Sequence, residues 1–242
     1  MKLGNQELMK KKCSKHIGIV ACSAEGAALC YRTICIEGAA LMGEHSHPEV
    51  TMHTFPLSWY EQHIESSDWE AVGNLMVRSA KKVAKAGAHF IICPDNTIHQ
   101  AFDRVVKKSK LPWLHIAEIV ATEATHKNFR RVGVLGTRYL MEGPVYSTKL
   151  AACGIEHLIP TANERKRINS IIFDELVNGQ FKGDSRIYFT KVIDRLKSQG
   201  CNAVILGCTE IPLLVSQEYS SLPTLDSTRL LARAALRKAI TP

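Results

Sequence analysis

The sequence predicts an α/β fold of two pseudo-symmetric lobes, each a parallel sheet flanked by helices, with the active site in the cleft between them. Four short apolar runs have strand character, and helical patterns separate them. Continuous Val/Ile/Leu runs of this length are typical of parallel strands covered on both faces, and βαβα alternation produces such sheets. The four predicted strands are residues 16–22, 89–93, 131–137 and 203–208.

Three intervening segments have the periodicity of helices. Residues 69–86 place apolar side chains on one helical face, and Gly87 follows as a helix terminator. Residues 167–177 and 189–199 have the same pattern, and Gly200 ends the second of them. These segments supply the helices that cover the predicted sheets.

The two halves of the chain repeat one another. Val132 begins VGVLG 115 positions after Ile17 begins IGIVA, and Val204 follows Ile91 by 113 positions in the second pair of strands. The matched spacing indicates an internal duplication, with two independent domains as the alternative. We expect a first lobe of residues 16–117 plus 222–242, a second lobe of residues 118–221 entered by a helix near 116–125, and a basic tail of residues 1–15.

Composition excludes several classes of protein. Of the 242 residues, 45% are hydrophobic and 22% charged, which is globular rather than collagen-like, mucin-like or disordered. The net charge of +8 is compatible with nucleic acid or anionic small molecules. No basic run is interleaved with aromatic residues, so we expect solvated basic faces and no nucleic-acid partner.

Cofactor and targeting signals are absent from the sequence. The eight cysteines form no CxxC pair, and His45, His47, His53 and His63 have no metal-ligand spacing. There is no GxGxxG or P-loop motif and no lysine in a recognisable pyridoxal-phosphate motif. No secretory signal or apolar run of about 18 residues occurs. We therefore predict no metal, no cofactor, no membrane association and a cytoplasmic location with reduced thiols.

The strongest chemical signal is Cys208, in Gly-Cys-Thr-Glu after an apolar strand. A helix beginning there would stabilise a thiolate and bind anions, with Thr209 as its cap and Glu210 in its first turn. The alternative is a buried structural thiol.

Asp95 occupies the matching turn of the first half, in Pro-Asp-Asn-Thr. Because ligands bind beyond the carboxyl ends of parallel strands, these two turns would focus a carboxylate and a thiol on one ligand. Cap-and-turn chemistry is the alternative. Other polar side chains at strand ends are candidate substrate contacts, with helix caps as their alternative roles: Ser23, Asn96, Thr97, His99 and Thr137.

Several motifs, in order over residues 16–240, together resemble the aspartate/glutamate racemase family of cofactor-independent amino-acid racemases. They are PxNTxH at 94–99, VGVLGT at 132–137, IIFDELVNGQF at 171–181, ILGCTEIPLL at 205–214 and LDSTRLLARAAL at 225–236.

The resemblance implies two thiols flanking the substrate α-carbon, one removing the α-proton and the other returning a proton to the opposite face. Cys208 matches the second thiol, whereas Asp95 stands at the position of the first. The ordinary pKa values of Asp and Cys, about 3.9 and 8.5, differ widely, but burial and a substrate carboxylate would raise that of Asp95.

The resemblance further implies that Asn96, Thr97 and Thr209 hold the α-carboxylate, and that the protein is a homodimer. We therefore expect a racemase of aspartate or glutamate. Two alternatives follow from the missing thiol and from residues 21–26, which replace a Gly-rich loop of the family. They are a one-sided decarboxylase, lyase or isomerase of a small carboxylic acid, and a non-catalytic binder of an acidic amino acid.

Overall fold

The computed structural model describes residues 14–241, which alternate between strands and helices. The strands are β1 (Ile17–Ala21), β2 (Val50–Thr54), β3 (Phe90–Ile92), β4 (Arg131–Leu135), β5 (Glu156–Leu158), β6 (Ala203–Leu206) and β7 (Thr224–Asp226). The α-helices are α1 (Ala24–Met42), α2 (Leu57–Glu65), α3 (Trp69–Lys85), α4 (Phe102–Lys108), α5 (Ile116–His126), α6 (Arg138–Glu142), α7 (Pro144–Ala152), α8 (Ala162–Asp174), α9 (Gly183–Ser198), α10 (Ile211–Leu214) and α11 (Ser227–Ile240).

These strands form two parallel sheets, in the orders β2-β1-β3 and β5-β4-β6-β7. The predicted α/β class with parallel sheets flanked by helices is confirmed. The four predicted strands are β1, β3, β4 and β6, which lie next to one another in each sheet and are almost wholly buried. The sequence pattern missed three edge strands, β2, β5 and β7: β2 and β5 are polar and partly exposed, β7 has only three residues, and none of them contains an apolar run.

Each sheet is covered on both faces by apolar side chains. In the first sheet, Ile19 faces α1 and α11, whereas its neighbour Val20 faces α2 and α3. In the second sheet, Ile205 packs with α5 and α7, whereas Leu206 packs with α8 and α9. Successive strand residues point to opposite faces, so both faces need apolar residues and the strands appear as continuous apolar runs.

The end of the chain crosses between the sheets. The predicted first lobe included residues 222–242, but β7 pairs with β6 in the second sheet, through Ile205 and Leu225 among others. The return to the first sheet therefore begins only at α11, which packs against α1. Its first turn is capped by Asp226, which accepts a 3.0 Å hydrogen bond from the Arg229 N–H. Most of the predicted basic tail, residues 1–13, lies outside the described residues.

Within residues 14–241, no helix is long and apolar enough to span a membrane.

Candidate active site

One cavity lies where the strands of both sheets end, between the two lobes. The first lobe lines this interlobe cavity with Cys22, Ser23, Leu57, Glu61, Ile64, Asp95, Asn96 and Thr97, and the second with Thr137, Ile172, Phe173, Val177, Gly207, Cys208, Thr209 and Glu210. Seven of the eight residues predicted for the site line it, and the exception is His99. Parallel strands bring their carboxyl ends to one edge, which is why residues far apart in sequence meet here.

The strand registers show which positions correspond in the two lobes. In the first sheet Ile19 pairs with Ile92, and three residues further along lie Cys22 and Asp95. In the second sheet Leu135 pairs with Leu206, and two residues further along lie Thr137 and Cys208. Asp95 thus occupies the place in the first lobe that Cys208 occupies in the second.

Cys208 is almost fully buried, and its thiol donates a 2.9 Å hydrogen bond to the Glu210 carboxylate. Burial first, and then the negative charge of Glu210, raise the pKa of the thiol well above its ordinary value. The sequence had predicted a thiolate stabilised by a helix with Thr209 as its cap. Instead α10 has only four residues, its N-cap is Glu210, and Thr209 donates to Glu210. The short helix cannot offset the adjacent carboxylate.

Glu210 is a functional candidate to which the sequence analysis gave only a place in the first turn of a helix. The residue is 2% exposed, and its Oε2 accepts hydrogen bonds from Cys208 and Thr209. Its Oε1 is buried and has no hydrogen-bond partner among the described residues. A buried carboxylate oxygen without a partner is costly, and here it lines a cavity. The arrangement suits a ligand that brings a hydrogen-bond donor, such as an ammonium group.

Asp95 has an environment suited to acid–base chemistry. Its Oδ1 accepts a 3.0 Å hydrogen bond from the Ile98 N–H. Burial raises the pKa of Asp95 to about 6; the Ile98 hydrogen bond opposes this rise, and the charge of Glu210 adds to it. A carboxyl group with this pKa exists in both protonation states near neutral pH, as a general acid or base requires.

Asn96 and Thr97 make hydrogen bonds that tie the lobes together. The Asn96 amide donates to Ser227 Oγ at 3.0 Å, and its carbonyl accepts from the Tyr146 hydroxyl at 2.7 Å. Thr97 Oγ1 lies 2.8 Å from Thr137 Oγ1, a direct hydrogen bond between two residues that line the cavity. The Asn96 side chain is therefore largely engaged, which leaves its backbone N–H and one amide hydrogen for a substrate carboxylate. Thr137 also caps α6, as the sequence allowed.

His99 lies behind the Asp95 turn and does not line the cavity. Its Nδ1 is 2.6 Å from the Asp95 carbonyl oxygen, and its Nε2 accepts a 3.3 Å hydrogen bond from the Ile116 N–H. Burial, reinforced by His115, holds the pKa of His99 well below its ordinary value. The position fits the structural role that the sequence had left open for His99, because both ring nitrogens are engaged in holding the Asp95 turn against α5.

The first turn of α1 closes one side of the cavity. Ser23 is the N-cap residue of α1, but its buried Oγ has no hydrogen-bond partner among the described residues. At Gly26 a Cβ atom would lie 2.0 Å from Thr209 Oγ1, so only glycine permits this approach of the two lobes. The segment that departs from the Gly-rich loop thus keeps a glycine where the backbone meets the second lobe.

The charged residues that line the cavity are all acidic. They are Glu61, Asp95 and Glu210, and the described lining contains no lysine or arginine. Burial, and then Glu65, raise the pKa of Glu61. Five apolar side chains, from α2, α8 and the turn after α8, form another part of the wall, and the remaining lining residues are uncharged polar residues, cysteines and a glycine. Sequence reasoning missed Glu61 because it lies in a stretch without a motif.

Among residues 14–241, His, Cys, Asp and Glu side chains form no cluster that could hold a metal.

Comparison with known proteins identifies the family to which this chain belongs. The family model of the Asp/Glu/Hydantoin racemases matches residues 17–235. The chain belongs to this family. It is an amino-acid racemase, an isomerase, as the resemblance implied.

Members of the racemase family with known structures share the fold. The crystal structure of an aspartate racemase homologue from Pyrococcus horikoshii OT3 has a TM-score of 0.79 and 30% identity, covering 94% of this chain and 100% of that one. Glutamate racemase from Francisella tularensis, in complex with D-glutamate, has a TM-score of 0.67 and 15% identity, covering 91% of this chain and 79% of that one. A broad-specificity amino-acid racemase of Bacillus subtilis (strain 168) is 24% identical over 194 residues, 78% of this chain and 81% of that protein.

Proposed function

We propose that the protein racemises an α-amino acid with two acid–base groups of its own, Asp95 and Cys208. One observation carries this proposal: the strand registers give these two residues equivalent positions, and both line the same cavity. A group on each side of the α-carbon is what removal and return of a proton on opposite faces requires.

The protonation states of Asp95 and Cys208 in the free enzyme determine which of the two groups removes the α-proton. With a pKa of about 6, Asp95 is mainly ionised at neutral pH, whereas Cys208 is protonated. Asp95 therefore takes the α-proton of the enantiomer that presents it, and the electron pair of the C–H bond passes into the carbanion. Cys208 then gives its proton to the opposite face of that carbanion. Backbone N–H groups of the Asn96 and Thr209 turns would hold the α-carboxylate.

Aspartate and glutamate are the substrates we propose first. The family and two of its structural neighbours carry these names. Because the described lining offers no lysine or arginine, a side-chain carboxylate would have only neutral donors such as Ser23 Oγ. We expect the protein to bind these substrates weakly, and neutral amino acids belong in the same screen.

The test is proton NMR of L- and D-aspartate and L- and D-glutamate with the enzyme in D₂O, beside a chiral assay. Loss of the α-proton signal with inversion, abolished by Cys208→Ala, is the expected result. Equal deuterium incorporation from both enantiomers by Asp95→Ala would refute the role of Asp95. If no amino acid in the screen exchanges its α-proton, the racemase proposal fails for them.

The replacement of the first thiol by Asp95 favours one second candidate, a one-sided decarboxylase, lyase or isomerase of a small carboxylic acid. Exchange without inversion would mean that only one base works, and would support this candidate. Binding of aspartate without any exchange would mean that aspartate is a ligand of the site but not its substrate.

The homodimeric state and the cytoplasmic location remain proposals. Light scattering of the purified protein tests the first, and cell fractionation tests the second.

A further inference from the structure

We propose that Cys22 is a positioning residue for Asp95: its thiol donates a hydrogen bond that fixes the carboxylate in the orientation of a base. The inference rests on the proposed function, in which Asp95 removes the α-proton. It concerns a cysteine that no motif marks, at the end of the first strand of the chain.

The strand register puts Cys22 beside Asp95. Strands β1 and β3 are parallel neighbours that pair Ile17 with Phe90 and Ile19 with Ile92. The same spacing, carried past the strand ends, pairs Cys22 with Asp95. Neighbouring strands are about 4.8 Å apart and paired side chains share a face. The thiol and the carboxylate therefore stand side by side, and both line the interlobe cavity.

The surroundings of Cys22 are those of a ligand site. Cys22 is 3% exposed, and the next residue, Ser23, has a buried hydroxyl without a partner among the described residues. Across the same cavity, Glu210 Oε1 is also buried and unpartnered. Two such polar atoms in one cavity indicate a polar ligand, because buried polar groups are almost always hydrogen-bonded in the functional state.

The two lobes carry their thiols on different strands. In the second lobe the register, carried two residues past Leu135 and Leu206, pairs Thr137 with Cys208, so a hydroxyl follows the first strand and a thiol follows its neighbour. In the first lobe the thiol of Cys22 ends the first strand, and a carboxylate stands on its neighbour. Each thiol still has a carboxylate within reach, since Cys208 donates to Glu210.

The charges around Asp95 explain what the Cys22 thiol does there. Burial, and then the charge of Asp95, raise the pKa of Cys22 well above its ordinary value, so the thiol stays protonated and is a hydrogen-bond donor at working pH. A hydrogen bond from this thiol would lower the pKa of Asp95, whereas the charge of Glu210 raises it. The titratable groups near enough to interact with the charge of Asp95 are Cys22, Tyr60, Cys93, Cys208 and Glu210.

The experiment compares Cys22→Val, which keeps the bulk and removes the donor, with Cys22→Ser, which keeps a donor. Asp95 is titrated directly by carbon-13 NMR of aspartate-labelled protein, with Asp95→Asn to assign its signal. Loss of one hydrogen bond to a carboxylate raises its pKa by about one unit. We expect this rise from about 6 in Cys22→Val, and a value near that of the parent protein in Cys22→Ser.

The pH dependence of α-deuterium exchange gives the second readout. We expect the acidic limb of the Cys22→Val profile to move to higher pH by about the same amount, and the Cys22→Ser limb to stay. Cys201→Val, at a buried cysteine that does not line the cavity, is the matched control and should move neither. Thermal unfolding of each variant reports whether the fold is kept.

An unchanged Asp95 titration in folded Cys22→Val, or equal shifts in the Val and Ser variants, would overturn the inference. Failure of the proposed function looks different. In that case no amino acid exchanges its α-proton, while the Asp95 titration still responds to Cys22→Val.

Discussion

The thiol of Cys208 donates a 2.9 Å hydrogen bond to Glu210, a buried carboxylate whose other oxygen has no partner among the described residues. This pair keeps the proton on sulfur, because a thiolate beside a carboxylate in a buried site is unfavourable. The ammonium group of an amino acid would neutralise Glu210 and satisfy its free oxygen. We therefore expect substrate binding itself to make the Cys208 thiol more acidic.

The first prediction concerns Glu210→Gln. Removing the negative charge should lower the pKa of Cys208, since Glu210 raises it by charge and by accepting the thiol hydrogen bond. At pH 7 we expect Cys208 to react about tenfold faster with a small thiol reagent, the effect of roughly 1.4 kcal/mol. Peptide mass spectrometry follows Cys208 beside the exposed Cys153 as internal reference. An unchanged rate in Glu210→Gln, or an equal gain in Glu61→Gln, would contradict this.

The second prediction is that Asp95→Asn stabilises the protein at neutral pH. The pKa of Asp95 rises from about 4 in the unfolded chain to about 6 in the fold. Below pH 4 the carboxyl group is protonated in both states and has no cost. As the pH rises from 4 to 6, the unfolded state ionises first, so stability falls, and above pH 6 the full cost remains.

Because Asn resembles the protonated carboxyl group, we expect Asp95→Asn to gain about 1–3 kcal/mol at pH 7.5 and nothing at pH 4. Urea unfolding at both pH values measures the difference. The exposed Asp174→Asn is the control. A stability gain that is the same at both pH values would rule out the ionisation of Asp95 as its cause.

The third prediction is that the Asn96 side chain stabilises the fold. Asn96→Ala leaves the buried Tyr146 hydroxyl without its acceptor and removes the hydrogen bond to Ser227. A cost of about 2–4 kcal/mol follows, measured by urea unfolding. The exposed Asn74→Ala should change stability by less than about 0.5 kcal/mol. If Asn96→Ala loses substrate binding at unchanged stability, the side chain serves the ligand instead.

The fourth prediction tests the charge of the cavity wall. Val177 lines the cavity, and Val177→Lys would supply the cation that its described lining lacks. We expect kcat/KM for aspartate or glutamate to rise about tenfold, with no gain for neutral amino acids, because the new charge pairs only with a side-chain carboxylate. Ile187→Lys, on the exposed surface of α9, controls for net charge. Equal gains for neutral and acidic amino acids would contradict the prediction.

Local pattern was enough to predict the fold class and the main strands. The apolar runs at β1, β3, β4 and β6 are buried on both faces, so their composition marks them without any tertiary information. The repeat spacing also predicted that Asp95 and Cys208 occupy matching turns. Cys22 was visible in the same way, because it follows Ile17 by five positions, as Thr137 follows Val132. No local pattern indicates a role for Cys22, because that role depends on Asp95, which is its neighbour only in the folded chain.

The tertiary structure decided the electrostatics and the cross-lobe contacts. The unpaired oxygen of Glu210 and the raised pKa of Asp95 arise from burial by both lobes, and no local pattern encodes burial of a polar group. Asn96 finds Tyr146 and Ser227 at separations of 50 and 131 residues. Hydrophobic periodicity is a property of neighbours in sequence, so the sequence by itself determined the four buried strands, the repeat and the candidate acid–base pair. Desolvation and hydrogen bonding are properties of neighbours in space, so only the folded chain determined what those groups can do.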